Sequence, residues 1–204
     1  MKITFTGSSL LQILNADADL SRRVLSYDMA GLSFREYLRF YKSIELPVHT
    51  MLFLANNVPY DVNIAKLASY LELNKNTVLS YLSSMQRAEL LHLLYADNKS
   101  VTKMQKPDKI YVHNPNMLCA LSSNLNVGTQ RECFVVNQLA VGHTVEYGKT
   151  QGDFLIDGKI TVEVGGQDKS FDQIADIPNS YILADSMEFP IGKKLPLWVV
   201  GLLY

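Results

Sequence analysis

Between Gly152 and Ile174 the chain reads GDFLIDGKITVEVGGQDKSFDQI. Two apolar runs of strand length flank Asp157-Gly158, a dipeptide that tolerates the positive φ of a tight turn, so the segment is predicted to fold as a β-hairpin. Asp153 opens the first strand and Glu163 lies near the end of the second; Gly165-Gly166 then breaks the pattern, and Lys169 follows. An Asp and a Glu across a hairpin, with a Lys close by, match the needs of a divalent-metal nuclease. Mg²⁺ takes hard oxygen ligands, and two carboxylates with substrate phosphate and water complete its shell.

The turn decides whether the carboxylates can cooperate. A two-residue turn at Asp157-Gly158 sets Asp153 opposite Val162, and the alternation of side chains then sends Asp153 and Glu163 to opposite faces. A three-residue loop, with Gly158 left-handed in a bulge, brings them to one face. The sequence permits both. The cation poses a second question. The usual pattern places a Lys two residues after the Glu, where it stabilises charge beside the attacking water; here that place is Gly165. Lys169 could swing in from the next segment, or cap that segment on the surface. Glu132, on a preceding amphipathic run, is a further candidate ligand.

The rest of the chain supplies the frame. Its 204 residues allow one large domain or two small ones. A formal charge of −1 means that contact with nucleic acid needs a local basic patch. The two cysteines, Cys119 and Cys133, suit free thiols in a reducing cytoplasm, and no Cys or His stands near them at ligand spacing. The most apolar run, LPLWVVGLLY, is about half of the ~20 residues a membrane span needs and reads as a buried final strand. The N-terminal stretch lacks the layout of a signal peptide, and the reading is a cytoplasmic protein without membrane contact.

Residues 2–5 read as a strand ending in TGSS, Ser8 or Ser9 begins a helix, and Ser33 with Glu36 forms a capping box for another. From 46 to 114 the pattern becomes helical. Leu46, Val48, Met51, Leu52 and Ala55 make one stripe, and Asn63 caps a helix burying Ile64, Leu67, Ala68 and Leu71. A second helix, TVLSYLSSMQRAELL, buries Val78, Leu82 and Met85, and two strands around a polar loop follow. This order is that of a winged helix-turn-helix. Lys75, Asn76, Thr77, Ser80, Tyr81, Ser84 and Arg87 would then face outward, a set suited to DNA phosphates and base edges; a packing module is the alternative.

After Pro115 come a short helix, an amphipathic helix TQRECFVVNQLAVG, strand HTVEYGK, the hairpin, a helix KSFDQIADI, strand SYILAD and the last strand. That α-β-β-β-α-β order is the restriction-endonuclease-like core. Gly148-Lys149-Thr150 imitates the end of a phosphate loop, but His143 stands where the motif needs its first Gly, so no ATP hydrolysis is expected of this chain alone.

Taken together, TGSS after an apolar strand, DLSRR, GLSFREYL, PDKIYVHNPNMLCAL and RECFVVNQL…GDFLIDGKITVEVGGQDKSFDQI resemble prokaryotic AAA-type ATPases carrying a C-terminal nuclease-like domain of unknown function 4143. The resemblance spans essentially the whole chain. It implies an α/β (α+β) protein with a remnant of an AAA-type core at 1–45, a winged helix at 46–114 and a restriction-endonuclease-like domain at 115–204. It also implies a nucleotide-sensing role for Thr6, Ser8 and Ser9, with Arg22 or Arg23 as the cation near phosphate. The Walker A and B strands of that family are not in the sequence, so ATP is expected as a ligand only with an N-terminal ATPase portion supplied. The leading expectation is a binding or regulatory piece of an ATPase-like protein, with DNA as its candidate partner. The competing ones are a Mg²⁺-dependent nuclease using Asp153, Glu163, Lys169 and Glu132, and a homo-oligomer paired through the TGSS strand.

Overall fold

The computed structural model describes residues 48–96, 106–149 and 151–203. The expected AAA-type segment, including Thr6, Ser8, Ser9, Arg22, Arg23 and the TGSS strand, lies outside the described residues. What is described is a mixed α/β arrangement with two sheets, and Leu46–Tyr204 forms one structural unit. Among the described residues no helix is long and apolar enough to cross a membrane.

The first half runs α1 (Val48–Asn57), β1 (Tyr60–Asp61), α2 (Ile64–Tyr70), α3 (Lys75–Arg87), β2 (Leu91–Leu94) and β3 (Lys109–Val112). Asn63 caps α2 by accepting the Lys66 amide at 3.0 Å, and Asn74 caps α3 by accepting that of Thr77 at 2.8 Å. Each satisfies an amide that the first helical turn leaves unpaired. Ile64, Leu67 and Ala68 of α2, and Val78, Leu82 and Met85 of α3, point inward as their helical spacing requires. The strands form an antiparallel sheet in the order β1-β3-β2.

Three expectations here need correction. Leu71 is half-buried and caps the end of α2 instead of packing inside it. Leu52 is 38% exposed, and Leu54 is fully buried in its stead: α1 turns its Met51–Leu54–Ala55 side inward. Ser84 does not face solvent; it is buried beside Met85, because α3 packs against both α2 and β2 and its covered face is wider than the three apolar positions. Its hydroxyl accepts from Arg87 at 3.4 Å.

The second half runs α4 (Pro115–Leu121), α5 (Val127–Leu139), β4 (Val145–Tyr147), β5 (Phe154–Ile156), β6 (Ile160–Gly165), β7 (Ser180–Ala184) and β8 (Lys194–Pro196), closed by a 3-10 turn at Leu197–Leu202. The five strands lie in the order β4-β5-β6-β7-β8, antiparallel through β6 and parallel from β6 to β8. Val135, Val136 and Leu139 of α5 pack on Phe154, Ile156, Val162, Val164 and Leu183. Leu94 and Tyr111 belong to the same cluster, and the Tyr147 amide reaches the Tyr95 carbonyl at 2.9 Å, so the two sheets share a core.

The connection from β6 to β7 was expected to be helical, and it is not. Phe171 to Ile177 forms successive tight turns, with Ile174 bonded to the Phe171 carbonyl and Ile177 to that of Ile174. Ile174 is fully buried and plugs a cluster with Ile182, Ala184 and Met187. Pro178 follows at once and blocks continuation. The last apolar run, expected as a strand, is not one: β8 ends at Pro196, and Leu197–Leu202 is a 3-10 helix. There Leu197 and Val200 are buried three residues apart against α5, a helical interval rather than the alternation of a strand.

Candidate active site

The turn at the hairpin tip takes its longer form. Phe154 pairs with Val162, Leu155 with Thr161 and Ile156 with Ile160, leaving Asp157, Gly158 and Lys159 as a three-residue loop. Asp157 and Gly158 hold φ of +53° and +64°. A non-glycine residue in that region needs local support, and Asp157 has it. Its carboxylate accepts the Thr144 amide at 2.9 Å and meets His143 Nδ1 at 2.8 Å. The Asp157 carboxyl is accordingly held below its ordinary range by His143, with the Thr144 amide adding to the effect.

Continuing that pairing by one residue sets Asp153 across from Glu163. The chain bends at Asp153: its amide reaches the Val162 carbonyl at 2.9 Å, and its Oδ2 accepts the Val164 amide at 2.7 Å. The side chain thus takes the place of a strand carbonyl and is fixed to β6. Glu163 lies between Val162 and Val164, whose side chains face α5, and so points to the opposite face, the one covered by the β6–β7 connection.

Lys169 arrives from that connection. A Cβ placed on Gly165 would stand 2.8 Å from both Cβ and Cγ of Lys169. The lysine stem therefore fills the space that a side chain at 165 would claim, and Lys169 Nζ reaches Glu163 Oε1 at 2.5 Å. Glu163 is 2% exposed, and its Oε2 is buried without a hydrogen-bond partner. The ion pair raises the Lys169 pKa, first through the hydrogen bond to Glu163. Lys169 is a permanent cation near neutral pH, suited to stabilising negative charge rather than to accepting a proton.

Glu132 of α5 enters the same electrostatic field. Tyr111, on β3, donates its hydroxyl to Glu132 Oε2 at 2.7 Å. Burial raises the Glu132 pKa, opposed by that hydrogen bond and by Lys109. The Tyr111 phenol is raised further still, by burial and then by the Glu132 charge, so it acts only as a donor. Asp153 is pushed up to about 6, mainly by burial, with the Glu163 and Glu132 charges adding and the Val164 hydrogen bond opposing.

Among the described residues no group of three or more His, Cys, Asp or Glu side chains is arranged to hold a metal ion. Oε2 of Glu163 is the one buried carboxylate oxygen among the described residues left without a hydrogen-bond partner. Glu132 has one oxygen committed to Tyr111.

Of the four expected residues, Lys169 and Glu163 are in contact, while Asp153 is bonded to the Val164 amide and Glu132 to Tyr111; the four influence one another through charge. The α3 residues stand apart from this field. Lys75, Asn76, Ser80 and Arg87 are exposed, while Thr77 and Tyr81 are half-buried. Two participants escaped the sequence. Tyr111 carries no local signal, as it lies on another sheet. Arg131, adjacent to Glu132, binds Asp185 through Nε at 3.0 Å, and only its place beside a candidate ligand could have drawn notice.

No protein-family model, curated protein or solved structure matches this chain.

Proposed function

We propose that this chain carries a restriction-endonuclease-like module with a metal-dependent phosphodiester-cleaving centre, preceded by a winged helix that engages DNA. The carrying observation is Lys169: its stem lies where a side chain on Gly165 would be, and its ammonium meets Glu163. A cation supplied from four residues downstream does the work of one placed two residues after the Glu.

In this reading Asp153 and Glu163 would hold Mg²⁺, which when bound supplies a Lewis acid for the phosphate and acidifies a water. Lys169 stabilises the charge that gathers on the phosphorane oxygens. Asp153, fixed by the Val164 amide, is a ligand that needs no rearrangement. Glu132 and Tyr111 hold the α5 side of the site and tune the charge on Asp153. Upstream, the order α1-β1-α2-α3-β2-β3 with its β1-β3-β2 sheet supports the winged-helix reading. Lys75, Asn76, Thr77, Ser80, Tyr81 and Arg87 would contact DNA from α3, and the resemblance to AAA-type ATPases supports a nucleotide-driven partner portion.

The test is cleavage of supercoiled plasmid and of labelled oligonucleotides with Mg²⁺ or Mn²⁺. The wild type is expected to cut, and Glu163→Gln and Lys169→Met to lose at least 100-fold. Cleavage that survives both substitutions or persists in EDTA contradicts the reading.

A second reading rests on the Glu163–Lys169 pair itself. With Glu163 Oε1 bound to the ammonium and Glu132 to Tyr111, the cluster is neutralised internally, as in a module that binds without cutting. Full affinity for an oligonucleotide with no cleavage under any divalent ion would favour this regulatory role.

A further inference from the structure

The last two strands of the sheet, β7 and β8, run parallel, and beyond their carboxyl ends lies a cavity of about 400 Å³. Asp185 and Ser186 follow β7 into it, and Leu197 and Trp198 follow β8. Its third wall is α5, through Val127, Gln130, Arg131 and Phe134. Those positions are spaced i, i+3, i+4 and i+7, so one stripe of the helix faces the cavity. Val162 and Val164 also face α5, whereas Glu163 between them points the other way. The cavity is thus a site of its own, and none of Asp153, Glu163 and Lys169 lines it.

Its groups select an uncharged planar ring with polar edges. Trp198 is 53% exposed, and its Nε1 donates to the Met187 carbonyl at 3.2 Å. That bond satisfies and fixes the indole edge, so the uncovered ring offers stacking rather than a polar contact. Arg131 donates through Nε to Asp185 Oδ2 at 3.0 Å, and Asp185 Oδ1 accepts the Ser186 amide at 2.7 Å. Both side chains are held in place with bonding capacity to spare. The terminal nitrogens of Arg131 have no acceptor among the described residues, and each Asp185 oxygen accepts one bond where it can accept two. The Gln130 amide nitrogen meets Cys119 Sγ at 3.3 Å, which leaves its oxygen as a further acceptor. The wall therefore presents donors beside acceptors at zero net charge. An anion meets Asp185 and a cation meets Arg131, so a charged ligand gains nothing from the pair. A ring that carries a donor next to an acceptor bonds to both.

We infer that this cavity binds a purine, as the free base or its nucleoside. Purine edges set a ring or carbonyl acceptor near an N–H donor, the complement of Asp185 beside Arg131. Two fused rings also cover more of the indole than one ring does, and stacking of this kind supplies affinity. A volume near the lower end of ligand pockets suits one such molecule rather than a helix or a duplex. The inference concerns the cavity alone and does not depend on cleavage at the carboxylates.

Trp198 is the sole tryptophan of the chain, so its fluorescence reports on this cavity. The full chain in EDTA would be titrated with adenosine, guanosine and N6,N6-dimethyladenosine, which keeps the purine ring and loses the amino donor. At the ligand efficiency of drug-sized molecules, a nucleoside should saturate the signal with a Kd on the order of 100 μM. Adenosine or guanosine is expected to bind at least about fivefold tighter than the dimethyl analogue, the worth of one hydrogen bond. Ligand-observed NMR would then compare variants. Trp198→Ala should weaken binding roughly 5- to 100-fold, while Trp198→Phe, which keeps a ring, should stay within about threefold. Asp185→Ala should bring the nucleosides level with the dimethyl analogue. No saturable quenching by either nucleoside up to millimolar concentration, equal binding of the dimethyl analogue, or unchanged affinity in Trp198→Ala overturns the inference. The wild-type titrations decide it even where a variant fails to fold.

Discussion

Replacing Asp153 by Asn should make the metal-free protein more stable at alkaline pH and leave it unchanged in acid. The Asp153 carboxyl is raised from 3.8 to about 6 by burial and by the neighbouring Glu163 and Glu132 charges. The folded chain therefore keeps a proton on Asp153 between about pH 4 and pH 6 that the unfolded chain has released. Stability falls as pH rises through that window, because the native state binds more protons there. At about 1.4 kcal/mol per pKa unit the whole effect is about 3 kcal/mol, and nearer 2 kcal/mol once partial solvent screening of the half-buried side chain is allowed for. Asn is neutral throughout and can still accept the Val164 amide, so the local bend is preserved. Thermal unfolding in EDTA at pH 4, 6 and 8 should show the two proteins together at pH 4. At pH 8 Asp153→Asn should lead by about 4–8 °C, at the ~2–4 °C per kcal/mol of chains this size. A lead that is the same at pH 4 and pH 8, or a variant less stable than wild type at pH 8, would refute the proposed crowding of negative charge. Mg²⁺ at pH 8 should shrink the lead, since a bound cation favours the ionised carboxylate.

Three further outcomes follow from the same geometry. Gly165→Ala must displace the Lys169 stem and leave Glu163 buried and unpaired, so chemical denaturation should show a loss on the order of 2 kcal/mol together with loss of cleavage. Tyr111→Phe removes the hydroxyl from Glu132; urea unfolding should report a cost of about 1.5–3 kcal/mol, as for a hydrogen bond to a charged group. Lys75→Ala with Arg87→Ala should weaken duplex binding and lower the salt slope by about 2, measured by anisotropy between low and moderate salt; an unchanged slope would assign α3 to packing.

Much of this arrangement was legible in the residues. Asn63 at the head of α2 and the inward spacing of Val78, Leu82 and Met85 are local signals, and local physics honours them. The hairpin was legible too, but its loop length was not. Ile-Asp-Gly-Lys allows either turn, and the longer one is supported by His143 and Thr144, just before β4, clamping Asp157, a contact between distant residues. The helix expected over Lys169–Ile177 failed for a related reason. Ile174 must be buried under Ile182 and Ala184 while Ser180 bonds back to the Ile174 carbonyl, and a continuous helix satisfies neither. The last apolar run has the hydrophobicity of a strand but the period of a helix: Leu197 and Val200 are the buried residues, while Trp198 and Leu202 face out. At the candidate site, Asp153 and Glu163 were visible as a pair. Gly165 as the opening that admits Lys169 has no signal in the sequence, because it depends on where the downstream stem lies.

The central claim is that Lys169 performs, from its own position, the function of a lysine at 165. The direct measurement is metal-dependent cleavage by Lys169→Ala, and by Lys169→Ala combined with Gly165→Lys. Removing the downstream stem vacates the space above residue 165, so the single variant should be inactive and the double variant should recover at least a tenth of wild-type activity. A double variant that folds, keeps Glu163 buried and recovers nothing, or a single variant that cuts as well as wild type, would contradict it.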